Sequence, residues 1–222
     1  MGSFIYGKHP AFGDFIGAGL PLPVQERLEG WLNAMLADLR TGWSTAWEAS
    51  FDAAPALFFW VGGRVTGDAS LCGVMVPSRD KVGRRFPLLA GAFGNGILPP
   101  VLDAGMTLPA ETLAQLEALE PDVAAGAAGI LATLTCDSPE DQPTETAFWA
   151  SRADPDATQL WADVATTDHL RAAATRSYWW LGNGAPAALY ATEGWPGAVA
   201  IAWLMAGGEA ATTESEPLAE AG

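Results

Sequence analysis

Between residues 24 and 39 the apolar positions Val24, Leu28, Trp31, Leu32, Met35, Leu36 and Leu39 recur at i, i+4, i+7, i+8, i+11, i+12 and i+15. That spacing draws one stripe down an α-helix of 3.6 residues per turn. Glu26, Arg27, Glu29 and Asp38 fall off the stripe, and Gly42 suits the helix C-terminus. Trp43 and Trp47, four apart, predict a second short helix on the same core. Elsewhere the apolar runs are short and continuous. Phe4–Tyr6 reads as a first strand stopped by Gly7, and Lys8 to Pro23 as a loop, broken by Pro10, Gly13, Gly17, Gly19, Pro21 and Pro23. Ala56–Val61, Leu71–Val76 and Phe86–Phe93 are runs of β-favouring residues bounded by glycine or proline, as expected for strands covered on both faces.

Residues 94–110 read as a connection. Leu108–Leu119 and Val123–Leu134 are helical by composition, Asp137–Pro143 is an acidic surface loop, and Phe148 and Trp149 sit on a short helix or turn. Ser177–Leu181 and Ala187–Tyr190 flank Gly182-Asn183-Gly184, a hairpin signal. Gly197–Ala206 is apolar throughout, so periodicity leaves helix and buried strand equally open. Strands, helices, then strands again make an α/β protein with helices on both faces of a sheet. The short connections at 63–70 and 182–186 imply antiparallel pairs, so the sheet is expected to be mixed and partly antiparallel. Residues 1–206 form one domain; 207–222, rich in alanine and glutamate, form an acidic tail expected to stay disordered.

Charge narrows the function. Eleven Lys+Arg against 26 Asp+Glu give a net charge of −15 over 222 residues. Such a surface repels phosphate backbones and anionic lipid, which argues against nucleic-acid and membrane-surface binding. The first residues show neither a secretory leader nor the Ser or Thr that a myristoylation signal needs at Tyr6. Phe86–Leu102, the longest uncharged run, is interrupted by Pro87, Pro99 and Pro100 and does not suit a membrane span. Cys72 and Cys136 have no metal spacing and read as buried thiols of a reducing cytoplasm. No cofactor or metal is expected.

Two segments gather polar groups among glycines and prolines: residues 7–15, Gly-Lys-His-Pro-Ala-Phe-Gly-Asp-Phe, and residues 77–87, Pro-Ser-Arg-Asp-Lys-Val-Gly-Arg-Arg-Phe-Pro. Each leaves the end of a predicted strand, so the two could share one edge of the sheet. Two readings of Lys8, Pro10, Gly13, Asp14, Ser78, Asp80, Gly83, Arg84 and Arg85 are open. In one, Asp14 and Asp80 cap their own turns and Arg84 pairs with either. In the other, an ionic cluster shapes the loops into a recognition surface or a small anion pocket, fixed by a bidentate Arg–Asp pair. A catalytic set of Ser78, His9 and Asp14 lacks a Gly-x-Ser-x-Gly elbow, and His9, Asp14 and Asp80 lack metal-ligand spacing. His169 reads as a solvated helical face, and residues 91–96 are not a dinucleotide fingerprint. Along Tyr178-Trp179-Trp180, alternation puts Trp179 on one face of a strand and its neighbours on the other. Core packing is the first reading there, and an aromatic partner surface formed by Trp179 and Trp180 the second.

Segment 7–15 resembles the Gly-Lys-x-Pro-x-x-Gly-Asp-Phe signature of the TagF/ImpM family of type VI secretion system-associated proteins. Segment 77–87 is similar to that family's Pro-Ser-x-Asp-x-x-Gly-Arg-x-Phe-Pro signature. Ser177-Tyr178-Trp179-Trp180 and Gly194-Trp195-Pro196 resemble its C-terminal elements, with Trp195 in place of the usual leucine. The resemblance implies a three-layer α/β/α sandwich and a cytoplasmic, non-enzymatic regulator. Such a protein would repress the apparatus after translation by binding a forkhead-associated-domain scaffold. The alternatives are a small hydrolase or phosphate-handling enzyme using the 77–87 loop, or a structural subunit of the apparatus.

Overall fold

A computed structural model describes residues 2–135, 169, 171–182 and 188–208. Among the described residues, seven strands, β1 (Gly2–Gly7), β2 (Ile16–Ala18), β3 (Leu57–Val61), β4 (Ser70–Val76), β5 (Leu88–Gly94), β6 (Arg176–Leu181) and β7 (Leu189–Glu193), form one sheet in the order β2-β1-β5-β4-β3-β6-β7. The helices packed with it among the described residues include α1 (Leu22–Trp43), α2 (Trp47–Asp52), α3 (Gly63–Thr66), α4 (Leu108–Glu117), α5 (Gly126–Thr133) and α6 (Ala198–Met205).

Every strand pairing among the described residues is antiparallel, so the parallel component expected in the sheet is absent. The helical segments explain this. α1 carries the chain from β2 to β3 across three intervening strands, and α4 and α5 lie between β5 and β6, which are two strands apart. A helical crossover that skips strands leaves no adjacent parallel pair behind, while direct returns such as β3–β4 and β4–β5 set antiparallel neighbours.

Strand alternation sorts the core. Phe4, Tyr6, Phe59, Leu71, Leu89 and Trp179 face the stripe of α1, together with Phe51 of α2 and Ile201 and Leu204 of α6. Their sequence neighbours Ile5, Leu88 and Ala90 face Ile130 of α5, and Trp60, Cys72, Ala92 and Tyr178 face Ile97, Met106 and Leu108. Helices therefore cover both faces of the sheet. Val24, Leu28, Leu32, Met35, Leu36 and Leu39 of α1 are all buried, as their spacing predicts. Pro23 and Pro109 sit in the first turns of α1 and α4, where no intrahelical donor is needed.

β2 falls inside the segment expected to be a loop, and residues 197–206 resolve as the helix α6. His169 is helical and exposed. The Asp137–Pro143 loop, Phe148, Trp149, Cys136, the turn at 183–187 and the tail from 209 lie outside the described residues.

Candidate functional site

Sheet order brings the two polar segments together. Gly7 at the end of β1 and Val76 at the end of β4 both pair with Leu88 at the start of β5. Whatever follows Gly7 and Val76 must therefore emerge at the same edge. The approach of β1 to β5 is close there: Gly7 has φ +134°, and a Cβ on it would collide with the Pro87 carbonyl oxygen. Only glycine fits that backbone.

Residues 78–86 fold back as a miniature hairpin. The Phe86 N–H donates to the Ser78 carbonyl (3.0 Å) and the Asp80 N–H to the Arg84 carbonyl (3.1 Å). Lys81-Val82-Gly83 makes the reversal, with Gly83 at φ +87° in the left-handed region. Segment 8–15 turns at His9–Phe12, where the Phe12 N–H donates to the His9 carbonyl (2.9 Å) with Pro10 in the position that presets φ. The His9 Nδ1 accepts the Ala11 N–H (3.2 Å), and burial pushes the imidazole below its ordinary pKa of 6.5.

Asp80 joins the loops. Its side chain is fully buried, and one oxygen accepts the backbone N–H groups of Val82 (3.1 Å) and Arg84 (2.9 Å). The other meets Lys8 Nζ at 3.0 Å and Arg84 Nε at 2.6 Å. Burial alone would push the Asp80 carboxyl up. The Lys8 hydrogen bond, the Arg84 backbone and side-chain bonds and the Lys8 charge outweigh it and hold the carboxyl far below the usual carboxylate range. Arg84 Nη2 also donates to the Gly13 carbonyl (2.8 Å), and the Lys81 N–H to the Phe12 carbonyl (2.7 Å). Aromatic rings seal the junction: Phe15 meets Phe86 edge-on at 4.7 Å, and Lys8 Nζ sits 4.9 Å above the Phe15 ring.

Lys8, Pro10, Gly13, Ser78, Asp80, Gly83 and Arg84 are thus parts of one structure. Asp14 is not part of the ionic junction: it is exposed and its carboxylate accepts the N–H of Phe15 (2.9 Å). Asp80 is the partner of Arg84. The bidentate Arg–Asp pair exists elsewhere than expected. Arg85 donates to both oxygens of Asp52 (2.8 and 2.7 Å) and meets Glu48 at 3.1 Å, fastening the hairpin to α2. This pair draws Asp52 below its ordinary pKa, mainly through the Arg85 hydrogen bond. The Val82 and Arg84 N–H groups, Lys8 Nζ and Arg84 Nε all converge on the Asp80 carboxylate. Among the described residues, neither His9 nor Asp14 hydrogen-bonds Ser78, and no three His, Cys, Asp or Glu side chains are grouped to hold a metal.

Trp179 forms no partner surface. It is fully buried against Trp31 (5.0 Å) and Phe59 (5.1 Å), because its strand position faces α1. Trp180, on the other face, is half-buried edge-on to Phe58.

Beside the junction opens a cleft of about 540 Å³ between the 82–86 hairpin, Phe15 and Lys8 on one side and Asn33, Arg40, Trp47 and Glu48 on the other. Arg40 lies over the Trp47 ring at 5.3 Å. Asp52, Glu48, Arg40 and Trp47 were not among the sequence candidates. Their signal was the i, i+4 spacing of Glu48 with Asp52, which gives α2 an acidic row, and of Trp43 with Trp47, which brackets the α1–α2 corner with aromatic rings.

The geometry defines an α/β domain in which two strand-end loops, fused through a buried carboxylate, stand beside a cleft rimmed with cations. The model of the TagF N-terminal domain, type VI secretion system-associated, matches residues 4–122, which contain both loops, and the chain belongs to that family. It is a type VI secretion system-associated protein. The crystal structure of PA0076 from Pseudomonas aeruginosa PAO1 shares the fold, with a TM-score of 0.71 and 23% identity over 94% of this chain and 95% of that one. No curated protein matches the sequence. Among the described residues, no helix is long and apolar enough to cross a membrane.

Proposed function

We propose that this protein is a cytoplasmic repressor of type VI secretion that acts after translation by binding the forkhead-associated-domain scaffold of the apparatus, without catalysis. Family membership supports the secretion role. The observation that carries the binding reading is the fusion of loops 7–15 and 77–87 through Lys8, Asp80 and Arg84. A buried, fully bonded ionic junction fixes loop shape, which is what a recognition surface needs. Its outer edge is accessible, since the Arg84 side chain is 58% exposed.

Calorimetric titration of the purified scaffold with the wild-type chain and with Arg84→Ala tests this. The expected result is a loss of affinity of about tenfold or more, corresponding to about 1.4 kcal/mol, in a variant that still folds but melts at a lower temperature, because buried Asp80 loses a partner. Equal affinity for a folded Arg84→Ala would remove the assignment.

A further inference from the structure

We propose that the cleft between the 82–86 hairpin and the α1–α2 corner is a docking groove for an acidic segment of a partner protein. One apolar side chain of that segment sits against Phe15, Phe86 and Trp47, and flanking carboxylates meet Arg84 and Arg40. This inference rests on the reading that this surface meets a protein.

Three observations carry it. The first is charge complementarity. Lys8, Arg40, Arg84 and Arg85 line the cleft, four of the eleven Lys and Arg in a chain of net charge −15. An acidic segment is repelled by most of this surface and attracted here. Lys8 is consumed by Asp80, and Arg85 by Asp52 and Glu48. Arg84 keeps an exposed outer edge, and Arg40 is exposed with an aromatic ring as its neighbour. The second is exposed apolar area: Phe15 is 43% and Val82 71% accessible, on loops whose backbones are otherwise fixed.

The third observation selects carboxylates over phosphate. A phosphate site needs several donors converging on one point, typically backbone N–H groups beside a cation. Here the N–H groups of Val82 and Arg84 and the Nζ of Lys8 all point at Asp80 and are satisfied. What remains is two guanidinium groups on separate elements, suited to single charges at two points along an extended peptide. The cleft volume, about 540 Å³, accommodates a large side chain with its neighbours.

The test uses the full ¹⁵N-labelled chain and three short synthetic peptides: Gly-Asp-Glu-Phe-Glu-Asp-Gly, its neutral analogue Gly-Asn-Gln-Phe-Gln-Asn-Gly, and an acidic one with serine replacing phenylalanine. The acidic phenylalanine peptide is expected to shift the Trp47 indole and the amides of residues 82–86 and to bind about tenfold more tightly than either control. Arg40→Glu, on an exposed helical position, is expected to weaken it by a similar factor and Arg40→Lys to restore it. Equal binding of the three peptides, shifts mapping elsewhere, no shifts at millimolar peptide, displacement by inorganic phosphate, or a dimer that hides Trp47 would each overturn the groove. If the scaffold binds through Arg84 while the acidic peptide does not bind, the groove falls and the proposed function stands. If neither binds, both fall.

Discussion

Asp80 is the residue on which the site is built, since its two oxygens serve two backbone N–H groups, an ammonium and a guanidinium at once. A carboxyl whose folded pKa lies below its unfolded value of 3.8 contributes stability that is fully present above that value and is lost as pH falls through the folded pKa. Acid unfolding below about pH 4 is therefore expected to steepen on account of Asp80. Asp80→Asn should lower the thermal midpoint at neutral pH and flatten that limb, both read by calorimetry across pH. His9 has the opposite chemistry. Its depressed pKa means the neutral ring is favoured, and its Nδ1 is an acceptor that protonation would abolish. The 9–12 turn should loosen as pH falls below the ordinary histidine value, visible as a His9 titration in the NMR spectrum that tracks the Ala11 amide. At this scale the sequence shows which segments matter but not which atoms pair. Asp14 and Asp80 both precede turns, and only the buried position of one tells them apart. Arg85 finds Asp52 33 positions upstream, a pairing no local pattern encodes.

Among elements, α1 was legible because a seven-position stripe at period 3.6 has one structural meaning. α6 was not, because Ala-Val-Ala-Ile-Ala-Trp-Leu-Met is apolar on every side and carries no period. β2 has three residues among glycines, too few to show alternation. The junction of α1, β6 and the 194–197 turn offers a paired test. Trp31 Nε1 donates to the Pro196 carbonyl (2.9 Å), whereas Trp179 Nε1, buried beside it, has no partner among the described residues. Trp31→Phe strands a carbonyl and should cost about 1–3 kcal/mol. Trp179→Phe removes an unsatisfied donor and should cost less, a ranking that urea denaturation of the two variants measures. Gly7→Ala forces a side chain into the Pro87 carbonyl at a positive φ, which should cost at least about 2 kcal/mol and unpin the start of the 8–15 loop.

Over the whole molecule, the sheet edge where β1 and β4 end and β5 begins carries both loops of the candidate site. That edge could be anticipated from strand-end loops alone, but the antiparallel order could not, because it depends on how many strands each helical connection skips. The −15 net charge and the local cations would make association at the proposed groove electrostatic in part. Scaffold affinity should accordingly fall as salt is raised from low to physiological strength, with the change in the association rate rather than the dissociation rate.

Hydrogen–deuterium exchange of the chain, free and saturated with the forkhead-associated-domain scaffold, tests the coupled-loop surface most directly. Slowed exchange should appear together in residues 10–15 and 81–86, with the Trp47 end of α2 following. Protection confined to other surfaces, such as the β7 edge, with both loops exchanging as in the free protein, would contradict it.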